Sequence, residues 1–304
     1  MSLAAPAPPP AMTARSWALL ILLGVIWGGS FFSVSIAVKE IPPLTLVLLR
    51  VGIAALALHL FLRLRGVSMA PALPYAGWFL VLGFFNNVVP FSLMFIGQTA
   101  IGAGLASVLN ATTPFWTLLL AGVVFCFEKP TMNKLVGVLV GIAGTAVMIG
   151  PGLAAGIGGP VWAKLALIGT ALSYSFAFVI ARRFTGLPPL VVTTGQLTAS
   201  ALMMIPIALL HDGIDGFLHA GIGSWTAALA LALVATAIAY FIFFELVRTA
   251  GPSNTSLVTM ITPVTAVLLG ALFLGERLEP FELLGMAIIA IGLVAIDGRL
   301  FSRR

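Results

Sequence analysis

The residues that could do chemistry in this chain are polar side chains inside long apolar segments. Ser107, Asn110 and Pro114 follow i, i+3, i+7 spacing, so they share one face of a helix. The same stripe recurs 149 residues later, in Ser256, Thr259 and Pro263. Polar groups are costly in hydrocarbon unless they bond to each other or face water. Each residue alone could bond to a nearby carbonyl, but two matched stripes predict a shared polar cavity for a small molecule.

Aromatic and amide side chains extend this predicted cavity. Asn87 and Phe91 share a face of another apolar segment, with Asn86 beside them, and their counterparts 149 residues later are Thr236 and Tyr240. Aromatic rings could stack on a planar apolar group, or serve only as packing or interface anchors. Amides and hydroxyls could bind amino and carboxyl groups. The predicted binding residues are Trp27, Phe31, Asn86, Asn87, Phe91, Asn110, Trp116, Tyr174, Tyr240 and Thr259, with Phe178 beside Tyr174.

Arg50 is a basic residue well inside an apolar segment, where a cation needs an anion or water. A guanidinium suits a planar carboxylate, so one partner could be a substrate carboxylate. The equivalent residue in the second half of the chain is Gln196, which keeps the polarity and drops the charge. That difference favours a structural role, in which Arg50 snorkels outward or bonds to carbonyls at a helix end.

Membrane-spanning helices must position these residues. Of the 304 residues, 61% are hydrophobic and 8% are charged, and the mean hydropathy is +1.16. A soluble domain has roughly a quarter charged residues and could not bury so much apolar surface. We therefore predict an all-α polytopic membrane protein. Ten apolar stretches approach the ~20 residues that cross a bilayer as helix, at 17–38, 44–64, 75–97, 102–124, 132–150, 161–182, 190–210, 225–247, 252–274 and 281–297.

The basic residues predict how the chain lies in the membrane. With the N-terminus in the cytoplasm, eleven Lys and Arg residues fall inside and three outside, which follows the positive-inside rule. Both termini are therefore expected in the cytoplasm. Residues 1–14, rich in Pro and Ala, are expected to be a disordered cytoplasmic tail. The net charge of +6 reflects this topology and needs no nucleic-acid partner.

The sequence also repeats itself. IPPLTLVLLR begins at Ile41, and the similar LPPLVVTTGQ begins at Leu187. Each copy holds five apolar stretches, and an odd number means that the second copy starts on the opposite membrane face. We predict two inverted five-helix repeats, at 15–155 and 156–304, around a central cavity. The cavity would be lined by the first, third, fourth, sixth, eighth and ninth stretches, and Pro114 and Pro263 would bend equivalent helices.

The fifth and tenth stretches carry glycines at helical spacing instead of polar stripes. These residues are Gly137, Gly141, Gly144, Gly285 and Gly292. Small residues at such spacing are typical of closely packed membrane helices. We therefore expect these two helices to pack outside the cavity.

Signatures of soluble enzymes are missing from the sequence, which has no P-loop, GxGxxG, CxxC or HExxH motif. With three scattered histidines and a single cysteine, we expect neither catalysis nor a bound metal or cofactor. A lipid flippase or a structural membrane protein could share these helices. A structural role, however, would need no polar residues at mid-membrane.

These features resemble the drug/metabolite transporter superfamily and its EamA-type exporters. The resemblance covers the whole chain apart from the tail and rests on Trp27-Gly28, the segment ending at Arg50, Pro114, Pro263, Glu128, Glu276 and the glycine-rich stretches. It implies ten helices in two repeats in a bacterial inner membrane, moving a small molecule by alternating access. Within the superfamily the chain is most similar to YddG-type exporters of aromatic amino acids. That similarity implies export of neutral, aromatic or large apolar amino acids, with other metabolites or drugs as the alternative.

Overall fold

The structure is a computed structural model that describes residues 12–120, 132–155, 159–184, 186–213, 218–250, 255 and 257–297. Within these ranges the ordered elements are helices joined by short turns, and they contain no strand. Most of the expected tail lies outside the described residues, as do Glu128, Cys126 and Ser256. The first helix begins at Ala14, because the Thr13 hydroxyl caps it by accepting from the Ser16 backbone N–H.

We number the helices in chain order. The first half of the chain contributes α1 (Ala14–Ala37), α2 (Pro43–Leu64), α3 (Ala70–Gly97), α4 (Ala103–Asn110 and Thr113–Leu119) and α5 (Met132–Ala155). The second half contributes α6 (Val161–Ala181), α7 (Pro189–His211), α8 (Ile222–Ala250), α9 (Val258–Leu274) and α10 (Pro280–Asp297). Proline at the first turn of α2 and of α7 starts both helices where the repeated PPL motif predicts.

Six of these helices, α1, α2, α3, α6, α7 and α8, are long and apolar enough to cross a membrane. The other described apolar stretches are shorter, at Leu135–Met148, Ile261–Leu274 and Pro280–Ala295. Many large apolar side chains point outward from the helices, including Leu210 and Leu272. An apolar surface of this kind fits lipid and not water.

The helix contacts follow the sequence repeat. Each helix of the first half has a counterpart five places later in the second half. When every helix is replaced by its counterpart, the pair α1–α9 becomes α6–α4, α1–α8 becomes α6–α3, and α2–α8 becomes α7–α3. All six of these pairs are in contact, and so are three of the five pairs that exchange into themselves, α2–α7, α4–α9 and α5–α10. The two halves of the chain are therefore related by a pseudo-two-fold arrangement of their helices.

Helices α5 and α10, whose glycines predict close helix packing, pack against each other. The two helices make the most extensive helix contact in the described chain. A Cβ built on Gly144 would lie 2.8 Å from the Ile289 nitrogen, and one on Gly285 would lie 2.8 Å from the Gly144 carbonyl oxygen. Only glycine permits such an approach of two helix backbones.

Two irregularities in α3 and α8 were not predicted. Phe84–Val88 of α3 and Ala230–Ile238 of α8 are π-helical, and the two segments occupy equivalent positions in the repeats. A π-helical turn inserts one extra residue, which rotates the following side chains, and such turns are frequent at functional sites. In α8, the Thr236 hydroxyl donates to the Leu231 carbonyl, five residues back.

The two prolines expected to bend equivalent helices, Pro114 and Pro263, have different surroundings. Helix α4 is interrupted at residues 111–112, and Pro114 lies in the first turn of its second segment. The Thr113 hydroxyl donates to the Asn110 carbonyl, an oxygen that proline at 114 cannot reach. By contrast, α9 continues as one α-helix through Pro263.

Candidate functional site

Arg50 of α2 lies at the centre of the candidate site. Its side chain is 6% exposed and its Nε donates to the Thr236 hydroxyl at 3.0 Å, on the π-helical segment of α8. The guanidinium carbon lies 4.0 Å from the centroid of the Phe91 ring on α3, a cation–π geometry. The snorkelling interpretation is therefore wrong, since Arg50 points into the bundle and bonds to a side chain of the other repeat.

The Arg50 guanidinium has no anionic partner in the described chain. None of the ion pairs formed there includes it. Its Nη1 atom is buried and has no hydrogen-bond partner among the described residues. Burial of a charge without a partner costs roughly several kcal/mol. An anion bound next to Arg50 would remove this cost.

Amide side chains of α3 face α7 beside Arg50. Asn86 Nδ2 donates to Gln196 Oε1 at 3.0 Å, and the Tyr240 hydroxyl of α8 faces both of these amides. Asn87 Nδ2 donates to the Ser200 hydroxyl at 2.9 Å, one turn further along α7. Asn87 is fully buried, and its Oδ1 atom has no partner among the described residues.

Aromatic rings form the walls of this site. Phe91 stacks on Phe95, with centroids 6.0 Å apart, and meets Tyr174 of α6 edge-on at 6.5 Å. Tyr240 stacks on Phe244 at 5.9 Å. Tyr174 and Tyr240 both lie within electrostatic range of the Arg50 guanidinium. We refer to Arg50, Asn86, Asn87, Phe91, Tyr174, Gln196, Ser200, Thr236 and Tyr240 as the central cluster.

The structure brings five of the predicted binding residues into the central cluster: Asn86, Asn87, Phe91, Tyr174 and Tyr240. The remaining ones lie around it or away from it. Trp27 packs in a separate apolar cluster, with its ring 5.8 Å from that of Phe243. Phe31 is buried, and its carbonyl accepts from Gln98 Nε2.

The predicted binding residues of α4 and α9 do not join the central cluster. The Trp116 indole donates to Thr112 of its own helix, and Thr259 is half-buried on α9. Asn110 lies at the break in α4, with a buried Oδ1 that has no partner among the described residues.

Two expectations about the cavity are corrected. Phe178 is 59% exposed on the outer surface of α6, so it is not part of the site, although it follows Tyr174 by about one helical turn. Helices α2 and α7, which the sequence did not place at the cavity, supply Arg50, Gln196 and Ser200. Gln196 could have been found, because it is the counterpart of Arg50 in the repeat.

Two surface cavities, each about 410 Å³, lie elsewhere. One lies between α1, α8 and α9 and is lined mainly by apolar residues such as Ile26 and Leu269, and the other lies near His59 at the end of α2. None of the predicted binding residues lines either of them. The central cluster is therefore not part of these two cavities.

Three carboxylates link the two repeats at the face predicted to be external. Glu276 accepts from the backbone N–H groups of Ala103 and Gly104, at 2.8 and 3.1 Å, and so caps α4. Asp212 accepts from the Thr45 backbone N–H at 2.7 Å and from its hydroxyl. Each carboxylate belongs to one repeat and meets a helix N-terminus of the other, where free N–H groups and the helix dipole favour a negative charge.

The third of these carboxylates is Glu40, which accepts from the Gly221 backbone N–H at 2.8 Å and from the Ser224 hydroxyl at 2.7 Å. These two hydrogen bonds, chiefly the one from Ser224, lower the pKa of the Glu40 carboxyl. We call the contacts of Glu40, Asp212 and Glu276 the external clamps.

The face predicted to be cytoplasmic carries a different kind of contact. Glu245 of α8 pairs with Arg248 at 2.9 Å and with Arg15 of α1 at 3.2 Å, and both arginine side chains are largely exposed. Glu245 and Arg248 are three residues apart on one helix, a spacing that brings opposite charges together. Exposed ion pairs of this kind contribute little to stability.

Comparisons with known proteins agree with this fold. The model of the EamA-like transporter family matches the chain twice, over residues 15–150 and 161–296. A solved chain, described only as "Crystal structure of protein", has a similar fold, with a TM-score of 0.68 at 21% identity. The alignment covers 97% of this chain and all of that one.

Curated relatives are similar over nearly their whole length. The uncharacterized inner membrane transporter YedA of Escherichia coli K12 is 28% identical, with 94% of this chain and 92% of YedA covered. A probable terminal-alkyne amino-acid exporter of Streptantibioticus cattleyicolor is 28% identical, with 95% of both chains covered. Protein PecM of Dickeya dadantii is 26% identical, with 92% and 91% covered.

The family match spans both halves of the chain, and the relatives with a named activity are transporters. The matched regions are the two sets of apolar helices whose contacts follow the repeat. The chain is therefore a multi-pass membrane protein with a two-repeat fold, and it belongs to the EamA-like transporter family of the drug/metabolite transporter superfamily.

Proposed function

We propose that this protein exports neutral amino acids with aromatic or large apolar side chains. The observation that carries the proposal is the central cluster, in which aromatic rings of α3, α6 and α8 surround a buried guanidinium and several amides. Rings can stack on an apolar side chain, and the polar groups can bond to amino-acid end groups. A relative named as a probable amino-acid exporter supports the same class of substrate.

The charge of the site argues against other substrates. Arg50 is the single cation of the central cluster, so a polyanion such as a nucleotide sugar would find too little positive charge. A cationic amino acid would place its side chain among the aromatic walls and near Arg50, without a carboxylate of the cluster to pair with. Other small carboxylate-bearing metabolites form the alternative substrate class.

The transport mechanism that we propose is alternating access between ten membrane-spanning helices, with both termini in the cytoplasm. The external clamps join the repeats across the outer face, whereas Arg15 and Glu245 join them through an exposed ion pair on the inner face. The described conformation then corresponds to a state closed toward the outside. Opening outward would separate the clamp carboxylates from the helix N-termini, and the break at Asn110 in α4 offers a place to bend.

Counterflow in proteoliposomes tests the substrate class. Purified protein should exchange radiolabelled phenylalanine, tryptophan and leucine, and should leave lysine and a nucleotide sugar behind. Tyr174→Ala and Tyr240→Ala should each slow phenylalanine exchange about tenfold, from the loss of one ring contact and its buried area. Phe178→Ala removes an exposed ring from the same helix as Tyr174 and is the matched control. Exchange of lysine or nucleotides without phenylalanine would contradict the proposal.

A further inference from the structure

The central cluster contains a buried donor and a buried acceptor that the protein itself leaves unpaired. The donor is Nη1 of Arg50 and the acceptor is Oδ1 of Asn87, and neither atom has a hydrogen-bond partner among the described residues. The two side chains are 6% and 0% exposed. Buried polar atoms are almost always bonded, so each unpaired one needs an explanation.

Contacts made by the rest of each side chain hold Arg50 and Asn87 in place. Arg50 is held by its Nε bond to Thr236 and by the face of Phe91. Asn87 is held by its Nδ2 bond to Ser200. Asn87 lies one turn before Phe91 on α3, so the donor and the acceptor flank the same aromatic wall.

From this arrangement we infer that the cluster recognises a zwitterionic α-amino acid through both of its end groups. The carboxylate of the substrate bonds to Arg50 Nη1, and its ammonium donates to Asn87 Oδ1. The inference rests on the proposed function and assigns the two contacts that would select a complete amino acid. A carboxylic acid without the amine, or an amine without the carboxylate, leaves one buried atom unpaired.

The carboxylate has no competitor for Arg50 within the cluster, whose other members are amide, hydroxyl and aromatic side chains. An arriving carboxylate therefore neutralises a buried charge and gains a charge-assisted hydrogen bond. The nearby phenol of Tyr240 and the amides of Asn86 and Gln196 can complete the hydrogen bonding of the end groups.

The expected discrimination follows from the value of a hydrogen bond to a charged group. Such a bond is worth about 1.5–3 kcal/mol, which corresponds to roughly 10- to 150-fold in affinity at 1.4 kcal/mol for each factor of ten. Phenylalanine should therefore bind at least tenfold more tightly than 3-phenylpropionate, which lacks the amine, or phenethylamine, which lacks the carboxylate.

The experiment measures binding of these three compounds to purified full-length protein by calorimetry, together with thermal unfolding of each variant without ligand. Arg50→Gln should abolish the preference for phenylalanine over phenethylamine and keep the preference over 3-phenylpropionate. Asn87→Leu should do the reverse. Arg65→Gln, which removes an exposed charge at the end of the same helix, should leave both preferences unchanged.

The wild-type compound series decides the inference even if a variant fails to fold. Comparable affinities for all three compounds would overturn it, and so would an Arg50→Gln protein that folds and keeps both preferences. If wild-type protein binds none of the three and exchanges no amino acid, the proposed function itself fails. Binding of phenylalanine without end-group preference leaves the proposed function standing and refutes only this assignment.

Discussion

Removal of the charge at Glu276 should release the external face of the transporter. The Glu276 carboxylate accepts two backbone hydrogen bonds at the N-terminus of α4, from Ala103 and Gly104. Glu276→Gln keeps one neutral oxygen and loses both the second acceptor and the negative charge beside the helix dipole. A capping bond contributes about 0.5–2 kcal/mol and a charge at a helix terminus about 0.3–1 kcal/mol. We expect a loss of about 1–2 kcal/mol from the outside-closed state.

This loss should raise the population of the outside-open state roughly 5- to 30-fold. Ser107 reports that opening, because it lies on α4 one turn after Gly104 and is 1% exposed in the structure. After replacement of Cys126, Ser107→Cys is labelled from outside with an impermeant maleimide. Its labelling rate should rise by the same factor in the Glu276→Gln background.

Glu279→Gln is the matched control for this measurement. Glu279 lies in the same connection between α9 and α10, and its backbone N–H donates to Glu282 within its own repeat. Its substitution removes an equal charge without touching a clamp, so the labelling rate should not change. The reasoning is refuted if Glu276→Gln labels at the wild-type rate, or if Glu279→Gln accelerates labelling equally.

The remaining predictions concern Glu40 and the packing of α1. Two hydrogen bonds lower the pKa of Glu40 in the folded state. The Glu40 clamp therefore stabilises the fold at pH values above the ordinary carboxyl pKa of 4.5, and this stabilisation is lost as the pH falls through the folded-state pKa. Thermal unfolding in detergent should therefore shift downward at acidic pH in wild type, and the shift should shrink in Glu40→Gln; an identical pH profile in both proteins would contradict this. Gly28→Ala places a Cβ 2.5 Å from Thr265 Cβ and 2.8 Å from the Thr262 carbonyl oxygen of α9, so it should destabilise the fold by about 1–3 kcal/mol. Gly52→Ala, which meets nothing within 4 Å, should be neutral or stabilising, and equal melting temperatures for the two variants would show that α1 and α9 are not closely packed.

Much of the site could be predicted from residue type and spacing. Asn87, Phe91 and Tyr240 were identified because their positions recur in the repeat. Polar groups inside apolar helices also draw attention, since they are costly in hydrocarbon unless they are bonded or face water. The role of Arg50 could not be decided that way. Whether a guanidinium snorkels, bonds to carbonyls or faces a substrate depends on which helices surround it, and here those are α3 and α8.

The errors have the same origin. Phe178 was expected beside Tyr174, but the helices packed against α6 cover Tyr174 and leave Phe178 59% exposed. The π-helical segments of α3 and α8 were missed because no local sequence rule marks an extra residue in a helix. The contribution of helix α7 to the site was missed because Gln196 and Ser200 belong to the site through their contacts with α3, which the sequence does not show.

The sequence by itself determined the class of the protein, its division into two similar halves and the close helix packing at the glycines of α5 and α10. Composition, hydrophobic length and glycine spacing are local properties, and a bilayer leaves helices as the natural way to satisfy the backbone. Only the tertiary structure decided that Arg50 meets Phe91 and Thr236, and that Glu40, Asp212 and Glu276 clamp helix ends of the opposite repeat. Except for the pair Arg50 and Phe91, those contacts join residues that are more than 160 positions from each other in the sequence. Their geometry is set by the packing of whole helices.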